Sequence, residues 1–215
     1  MKTYYATDAF DKHVSDYEAW YEAHPEAYAS ELNAIRAHFE RLPENIRGIE
    51  VGLGTGRFSV PLGIREGVEP SAPMAVRAIE RGVEVVDARA EQLPYADMQF
   101  DFVLFVTICH LQSLKYAFRE AYRVLKPKGL LIIGFLPKDA PVAHGYQERR
   151  RFSTFYQEAV FYSPEEIAKL LSESGFRSLE FNQVLFGELE SITEPQQPRP
   201  GYGEGSFVVV SGEKK

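Results

Sequence analysis

Four short apolar runs, Ile46 to Val51, Val83 to Val86, Phe100 to Ile108 and Leu130 to Leu136, constrain this chain more than any other feature of its sequence. They are too uniformly apolar for a sheet with one wet face, in which polar and apolar side chains alternate. Strands of this kind belong to a parallel sheet covered on both sides. The segments between them read as helices. Ser71-Ala72-Pro73-Met74 supplies a capping residue and an early proline, and Ser113 to Lys126 is amphipathic and stops at Pro127-Lys128-Gly129. Strand, helix and parallel strand succeed one another, which is an α/β architecture.

The flanks follow other rhythms. Phe10, Val14, Tyr17, Tyr21 and then Tyr28, Leu32, Ile35, Phe39 recur at helical spacing and predict two helices broken near Pro25. A polar and aromatic insertion over 138–160 carries Gln147-Glu148-Arg149-Arg150-Arg151, followed by Phe152, Phe155 and Tyr156. Beyond it, Ser163-Pro164-Glu165-Glu166 fits a capping box, Ile167, Leu170 and Leu171 give a buried face, and Gly175 suits a helix C-terminus. A strand over 178–186, a loop rich in Pro, Gln and Gly over 188–204, and a last short strand, Phe207 to Val210, complete the pattern.

The first apolar run leads straight into Glu50-Val51-Gly52-Leu53-Gly54-Thr55-Gly56-Arg57. Glycine permits positive φ and lets a ligand approach the backbone, and a helix N-terminus behind such a loop offers unpaired N–H groups, so a nucleotide-like ligand is expected. A dinucleotide fingerprint, Gly-x-Gly-x-x-Gly, needs its third glycine where Arg57 stands, so the spacing fails for NAD. Glu50-x-Gly52-x-Gly54-x-Gly56 instead resembles the first motif of the class I S-adenosylmethionine-dependent methyltransferases.

That resemblance continues downstream. Gly67-Val68-Glu69-Pro70-Ser71 is similar to the second-strand motif whose acidic residue holds the ribose hydroxyls of the cofactor, which makes Glu69 the expected ribose ligand. A carboxylate has the geometry to accept both hydrogen bonds of a vicinal diol, and the end of a parallel strand faces the crevice where such ligands bind. Ala88-Arg89-Ala90-Glu91-Gln92-Leu93-Pro94-Tyr95, Gln99-Phe100-Asp101-Phe102-Val103 and Arg123-Val124-Leu125-Lys126-Pro127-Lys128-Gly129 resemble segments of the type 11, ubiquinone-biosynthesis-like branch. The match covers Ile46 to about Pro137. It implies a seven-stranded, mostly parallel sheet with its final strand antiparallel, helices on both faces and an N-terminal helical lid. It also implies a cofactor set of Glu50, Gly52, Gly54, Gly56, Glu69, Pro70, Arg89, Ala90, Glu91 and Thr107. Three departures stand out: Arg89 cannot accept a hydrogen bond from an adenine amino group, Lys128 replaces a glycine, and only twelve residues separate Gly56 from Glu69. The first helix, interrupted by Pro61, and the second strand are therefore expected to be short.

The family resemblance implies a single domain: a lid over 1–44, a cofactor-binding core over 45–137, a substrate-side insertion over 138–160 and the rest of the sheet over 161–215. It implies methyl transfer from S-adenosylmethionine to a small-molecule N, O or S nucleophile, with release of S-adenosylhomocysteine. The sulfonium already activates the methyl carbon, so the protein supplies positioning, desolvation and, where needed, a proton acceptor. His110, beyond the fourth strand, is the one candidate base; the other reading of it is a wall of the cofactor pocket. Tyr17, Trp20, Tyr21 and Tyr156 are the expected substrate-side residues, with His24, Tyr28, Tyr146, Phe152 and Phe155 as further candidates, and ring faces of this kind hold cations. Arg149-Arg150-Arg151 reads either as a solvated helix face or as a carboxylate or phosphate contact. Two rival functions stay open on sequence alone: a non-catalytic S-adenosylmethionine-binding sensor or scaffold, and a nucleotide-dependent oxidoreductase.

Composition removes other classes. With 45% apolar and 26% charged residues the chain is an ordinary globular sequence, and its longest apolar run, Phe102 to Cys109, is far short of the roughly 20 residues of a bilayer span. The first residues lack a secretory signal, and Cys109 is the sole cysteine, so neither a disulfide nor a multi-cysteine metal site is expected and the cytoplasm is the expected location. A net charge of −7 repels nucleic acid. The expected partner is a small-molecule acceptor, and the expected state a monomer or homodimer.

Overall fold

A computed structural model describes residues 8–148 and 153–215. The strands are β1 (Gly48–Val51), β2 (Glu66–Val68), β3 (Glu84–Val86), β4 (Phe100–Val106), β5 (Leu125–Phe135), β6 (Phe176–Val184), β7 (Arg199–Pro200) and β8 (Phe207–Lys214). They form one sheet in the order β3-β2-β1-β4-β5-β8-β6-β7. Strands β1 to β5 pair in parallel, and β8 runs antiparallel between β5 and β6. The expected seven strands are joined by an eighth, the two-residue β7 at the edge beside β6. Strand β8 is also longer than expected, because it pairs with β5 from Val208 to Glu213 and with β6 out to Phe207 and Lys214.

The helices are α1 (Asp8–Lys12), α2 (Val14–Ala23), α3 (Pro25–Phe39), α4 (Ala72–Glu80), α5 (Leu114–Val124), α6 (Pro141–Glu148) and α7 (Pro164–Glu173). Ser163 caps α7 with the full reciprocal capping box that its sequence predicts. Along β4, Val103 and Phe105 enter the core shared with α5 and α7, while Phe102 and Leu104 enter the core shared with α3. Strands β5 and β8 divide in the same way, which explains why the central stretches Phe102 to Val106, Leu130 to Phe135 and Phe207 to Val210 carry no polar side chain. Each large aliphatic or aromatic side chain so buried contributes about 1.5–3 kcal/mol of transfer free energy.

Two expectations need correction. No α-helix follows the glycine loop: residues 54–63 form consecutive turns. Pro61 has no N–H to donate, and Gly54, Gly56 and Gly63 all take positive φ, so a regular helix cannot propagate. The N-terminal helices, in turn, are more than a lid. Ala27, Leu32 and Ile35 of α3 are buried against Leu104, Ile132 and Val209 of the sheet, so α3 is a structural layer and the covering role falls to α1 and α2.

The departure at Lys128 has a backbone consequence. The β4–β5 register shifts between Phe100 and Phe102, and the extra residues of β5 form a bulge in which exposed Lys128 has φ of 65°. A left-handed conformation costs an L-residue about 1–2 kcal/mol, part of which glycine returns through the entropy of its unfolded state. Lys128→Gly is expected to raise stability by about 0.5–1 kcal/mol, read as a rise of roughly 1–4 °C in Tm. An unchanged or lower Tm would show that the lysine is not strained there.

Candidate active site

A cavity of about 360 Å³ opens at the carboxyl ends of β1, β2 and β4, is roofed by α1, α2 and described residues of the 138–160 segment, and has Glu31 of α3 in its wall. That size falls within the range of small-molecule sites. Its floor is built by the backbone. Gly52 and Gly54 turn away from β1 with φ of 72° and 57°, and a Cβ on Gly52 would meet no protein atom within 4 Å, so that position is a cradle open to a ligand. Glu69 follows β2 and is 7% exposed. Its Oε2 accepts the Gly54 N–H and its Oε1 the Ser71 N–H, both at 2.8 Å, which leaves one further acceptor direction on each oxygen. Burial raises its pKa, and the two N–H donors work against that rise.

Most of the sequence-predicted set converges on this cavity. Gly52, Gly54, Glu69, Pro70, Arg89, Ala90, Glu91, Thr107 and His110 line it, together with Tyr17, Trp20, Tyr21 and Tyr156. Glu91 Oε1 also accepts the Ser113 N–H at the start of α5, and Thr107, with φ of 60°, turns the chain from β4 toward His110.

Glu50, Gly56, His24 and Tyr28 do not line the cavity. Glu50 is 1% exposed behind the loop, accepts a hydrogen bond from the Ser59 hydroxyl, and is pushed up to about 8 by burial. Its task is to anchor the turn that follows the glycines. Gly56 gives room to α4: a Cβ there would lie 3.3 Å from the Cβ of Ala78. His24 stacks on Trp20 and bonds its carbonyl, and the Tyr28 hydroxyl donates to the Arg57 carbonyl. Arg149, Arg150, Arg151 and Phe152 lie outside the described residues.

His110 packs edge-on against Phe10, with ring centroids 4.9 Å apart, and stacks near Tyr156 at 5.7 Å. Burial pushes its imidazole down to about 4, so it is neutral at physiological pH and holds a proton poorly. Histidine NMR is expected to show this ring titrating near pH 4. Because the folded value lies below the unfolded one, the stability it contributes is present above about pH 6.5 and is lost as pH falls through about 4. A titration near 6.5 would restore it as a base. The buried Cys109 thiol is pushed up to about 12, which leaves it unreactive.

Two acids escape the sequence reading. Glu18 of α2 takes hydrogen bonds from the Thr55 hydroxyl, from Arg57 Nη2 at 2.6 Å and from Arg81 at 2.5 and 3.1 Å, tying the roof to the glycine loop and to the C-terminus of α4. Glu31 of α3 is 6% exposed and lines the cavity. Both stand at helical spacing with apolar neighbours, Glu18 with Val14 and Tyr21, and Glu31 with Tyr28 and Ile35. An acid inside an apolar stripe was the available signal.

A glycine loop above a parallel sheet, a buried acid at the end of the second strand and an antiparallel final strand define a class I methyltransferase. Comparison with known proteins assigns the family. The family described as Methyltransferase domain matches residues 49–133. A Thermotoga maritima S-adenosylmethionine-dependent methyltransferase, described as a possible histamine N-methyltransferase, superposes with a TM-score of 0.93 at 42% identity over 98% of this chain and 100% of that one. An uncharacterized protein of Methanocaldococcus jannaschii is 38% identical over 208 residues, 96% of this chain and 99% of its own length. The ubiquinone/menaquinone biosynthesis C-methyltransferase of Rhizobium meliloti is 26% identical over 67% of this chain and 69% of its own. The chain belongs to the type 11 family of class I S-adenosylmethionine-dependent methyltransferases, and S-adenosylmethionine is its cofactor. Among the described residues, no group of three or more metal-ligating side chains is present, and no helix is long and apolar enough to cross a membrane.

Proposed function

We propose that the chain transfers the cofactor's methyl group to a small-molecule nucleophile, with nitrogen the favoured acceptor atom. The observation that carries this reading is a single cavity running from the Gly52–Gly54 cradle and Glu69 to a wall of Tyr17, Trp20, Tyr21, Tyr146 and Tyr156. The likeness to the Thermotoga protein, described as a possible histamine N-methyltransferase, supports an amine acceptor.

In this reading Glu69 takes the ribose hydroxyls, Gly52 and Gly54 leave room for the amino acid part, and the backbone of Arg89, Ala90 and Glu91, with Pro70 and Thr107, frames the adenosine. When bound, S-adenosylmethionine supplies a methyl carbon already activated by its sulfonium. The chain's own part is to orient the acceptor in line with that carbon and to keep water away. Aromatic rings on α2 and in the 138–160 segment exclude water while their faces accommodate positive charge. His110, neutral and packed against the rings of Phe10 and Tyr156, serves this wall rather than proton storage.

A thermal-shift panel with S-adenosylmethionine, S-adenosylhomocysteine, NAD and ATP tests the cofactor site, and methyl incorporation into small amines, phenols and thiols tests the acceptor. Ligand at 100 times its Kd adds about 2.7 kcal/mol, which is roughly 5–10 °C here. Shifts confined to the two adenosyl amino acids, with amines as the methylated class, are expected. A larger shift with NAD, or methylation of thiols alone, would overturn the reading.

A further inference from the structure

Glu31 is an ionisable group without a partner in a place where charge is costly. It lies on the sheet-facing side of α3, between Ser30 and Leu32, both buried, and is itself 6% exposed. Among the described residues, no hydrogen bond or ion pair to its carboxyl is found. Its neighbour Ser30 is fully committed, donating to the Glu26 carbonyl and accepting the Gln196 N–H. The carboxyl oxygens are not sealed among side chains, because they are absent from the buried, unpartnered polar atoms and the residue lines the cavity. The groups that feel its charge are the rings of Tyr21, Tyr28 and Tyr156.

A carboxylate in such surroundings is stabilised only by a counter-charge. Among the described residues, Arg89 and His110 are the only Lys, Arg or His side chains that line this cavity; His110 is neutral, and burial is the one influence acting on the Glu31 carboxyl, so neither supplies its counter-charge. The arrangement suits a cation brought by a ligand, and not the cofactor's own: its amino acid part has a place at the Gly52–Gly54 cradle, whereas Glu31 stands with Tyr21, Tyr28 and Tyr156 on the substrate wall. We propose that Glu31 is the specificity residue for the methyl acceptor, and that it holds the ammonium of a small organic cation whose apolar part lies against Tyr21 and Tyr156. This rests on the small-molecule methyltransferase reading above and deepens it. An ammonium has no lone pair, so the group held by Glu31 is a handle, and the nucleophile is a second, uncharged atom of the same molecule. Burial alone holds the Glu31 proton up to about 8, and an arriving cation offsets that burial.

The test compares matched pairs that differ in the ammonium: histamine against 4-ethylimidazole, and tyramine against 4-ethylphenol. Binding is measured by calorimetry on the full chain at pH 8.5, saturated with S-adenosylhomocysteine. Wild type is expected to favour the amine of each pair by about 10-fold or more, the scale of one charge-assisted hydrogen bond. Glu31→Gln is expected to abolish that preference while leaving S-adenosylhomocysteine affinity and Tm intact, and Glu31→Asp to keep part of it. Wild type that binds both members of each pair equally, or a Glu31→Gln protein that keeps the preference, overturns the proposal even where the glutamine variant proves unstable, because the wild-type comparison stands alone. Loss of S-adenosylhomocysteine binding by wild type itself would instead refute the reading on which the proposal rests.

Discussion

Glu69→Ala is expected to weaken binding of S-adenosylmethionine and S-adenosylhomocysteine by about 100-fold, and by similar factors for the two. The carboxylate is the proposed acceptor for both ribose hydroxyls, and hydrogen bonds to a charged group contribute about 1.5–3 kcal/mol each. Every 1.4 kcal/mol is a factor of ten, so even the lower bound for two bonds reaches that size. The same carboxylate satisfies the N–H groups of Gly54 and Ser71, so its removal also loosens the cradle and lowers Tm.

These two effects can be separated. A 2′-deoxy analogue of S-adenosylhomocysteine lacks one of the hydroxyls, so wild type should bind it at least about 10-fold more weakly than the parent. In Glu69→Ala the two ligands should bind alike, because the partner of that hydroxyl is gone. If the variant still discriminates against the deoxy analogue, Glu69 only props the loop. Glu69→Gln is expected to do little better than alanine. Its amide presents a donor where one of two backbone N–H groups needs an acceptor.

What the sequence made legible follows from how local each constraint is. β4 and β5 could be read because burial on both faces demands apolar residues along their central stretches, and β1 is buried likewise with Glu50 as its one acid. The loop could be read because positive φ at residues 52, 54 and 56 demands glycine. Ser163 and Glu166 announce α7 because a capping box lies within four residues. Other elements leave no such trace. β7 is a two-residue edge pairing of Arg199 and Pro200, with no apolar pattern to betray it. The apolar stripe of α3 shows that one face is buried, yet nothing local says whether a lid or a sheet covers it. The missing helix after β1 was half announced by Pro61, and the family resemblance outweighed that local signal. The cavity itself is assembled from segments more than a hundred residues apart, so Glu31 and Tyr156 meet only in three dimensions.

Glu18→Ala is the second large effect, and it acts through the roof. α2 carries Tyr17, Trp20 and Tyr21 over the cavity, so movement of this helix is expected to gate release of a bound cofactor. What chiefly holds α2 down at its polar side is the Glu18 carboxylate, 16% exposed and shared by Thr55, Arg57 and Arg81, with exposed Glu22 adding a looser pair to Arg57 at 3.6 Å. Arg57 stands where a dinucleotide loop would carry glycine, and its guanidinium also lies 5.1 Å from the Tyr21 ring. Burial opposes ionisation of Glu18, but hydrogen bonds from Arg81, Arg57 and Thr55 prevail and hold it down at about 2. Its contribution to stability is therefore present above about pH 4.5 and is lost as pH falls toward 2. Partial exposure limits each pair to about 1 kcal/mol, so the cluster contributes on the order of 2–3 kcal/mol to keeping the roof closed. Without it, S-adenosylhomocysteine should dissociate about 10- to 100-fold faster, with a much smaller change in association rate, since opening precedes escape. Stopped-flow dissociation measures this directly, and high salt should shrink the difference by screening the wild-type cluster. A variant that is less stable yet releases S-adenosylhomocysteine at the wild-type rate would place Glu18 in the scaffold and leave the roof to be held by its other contacts.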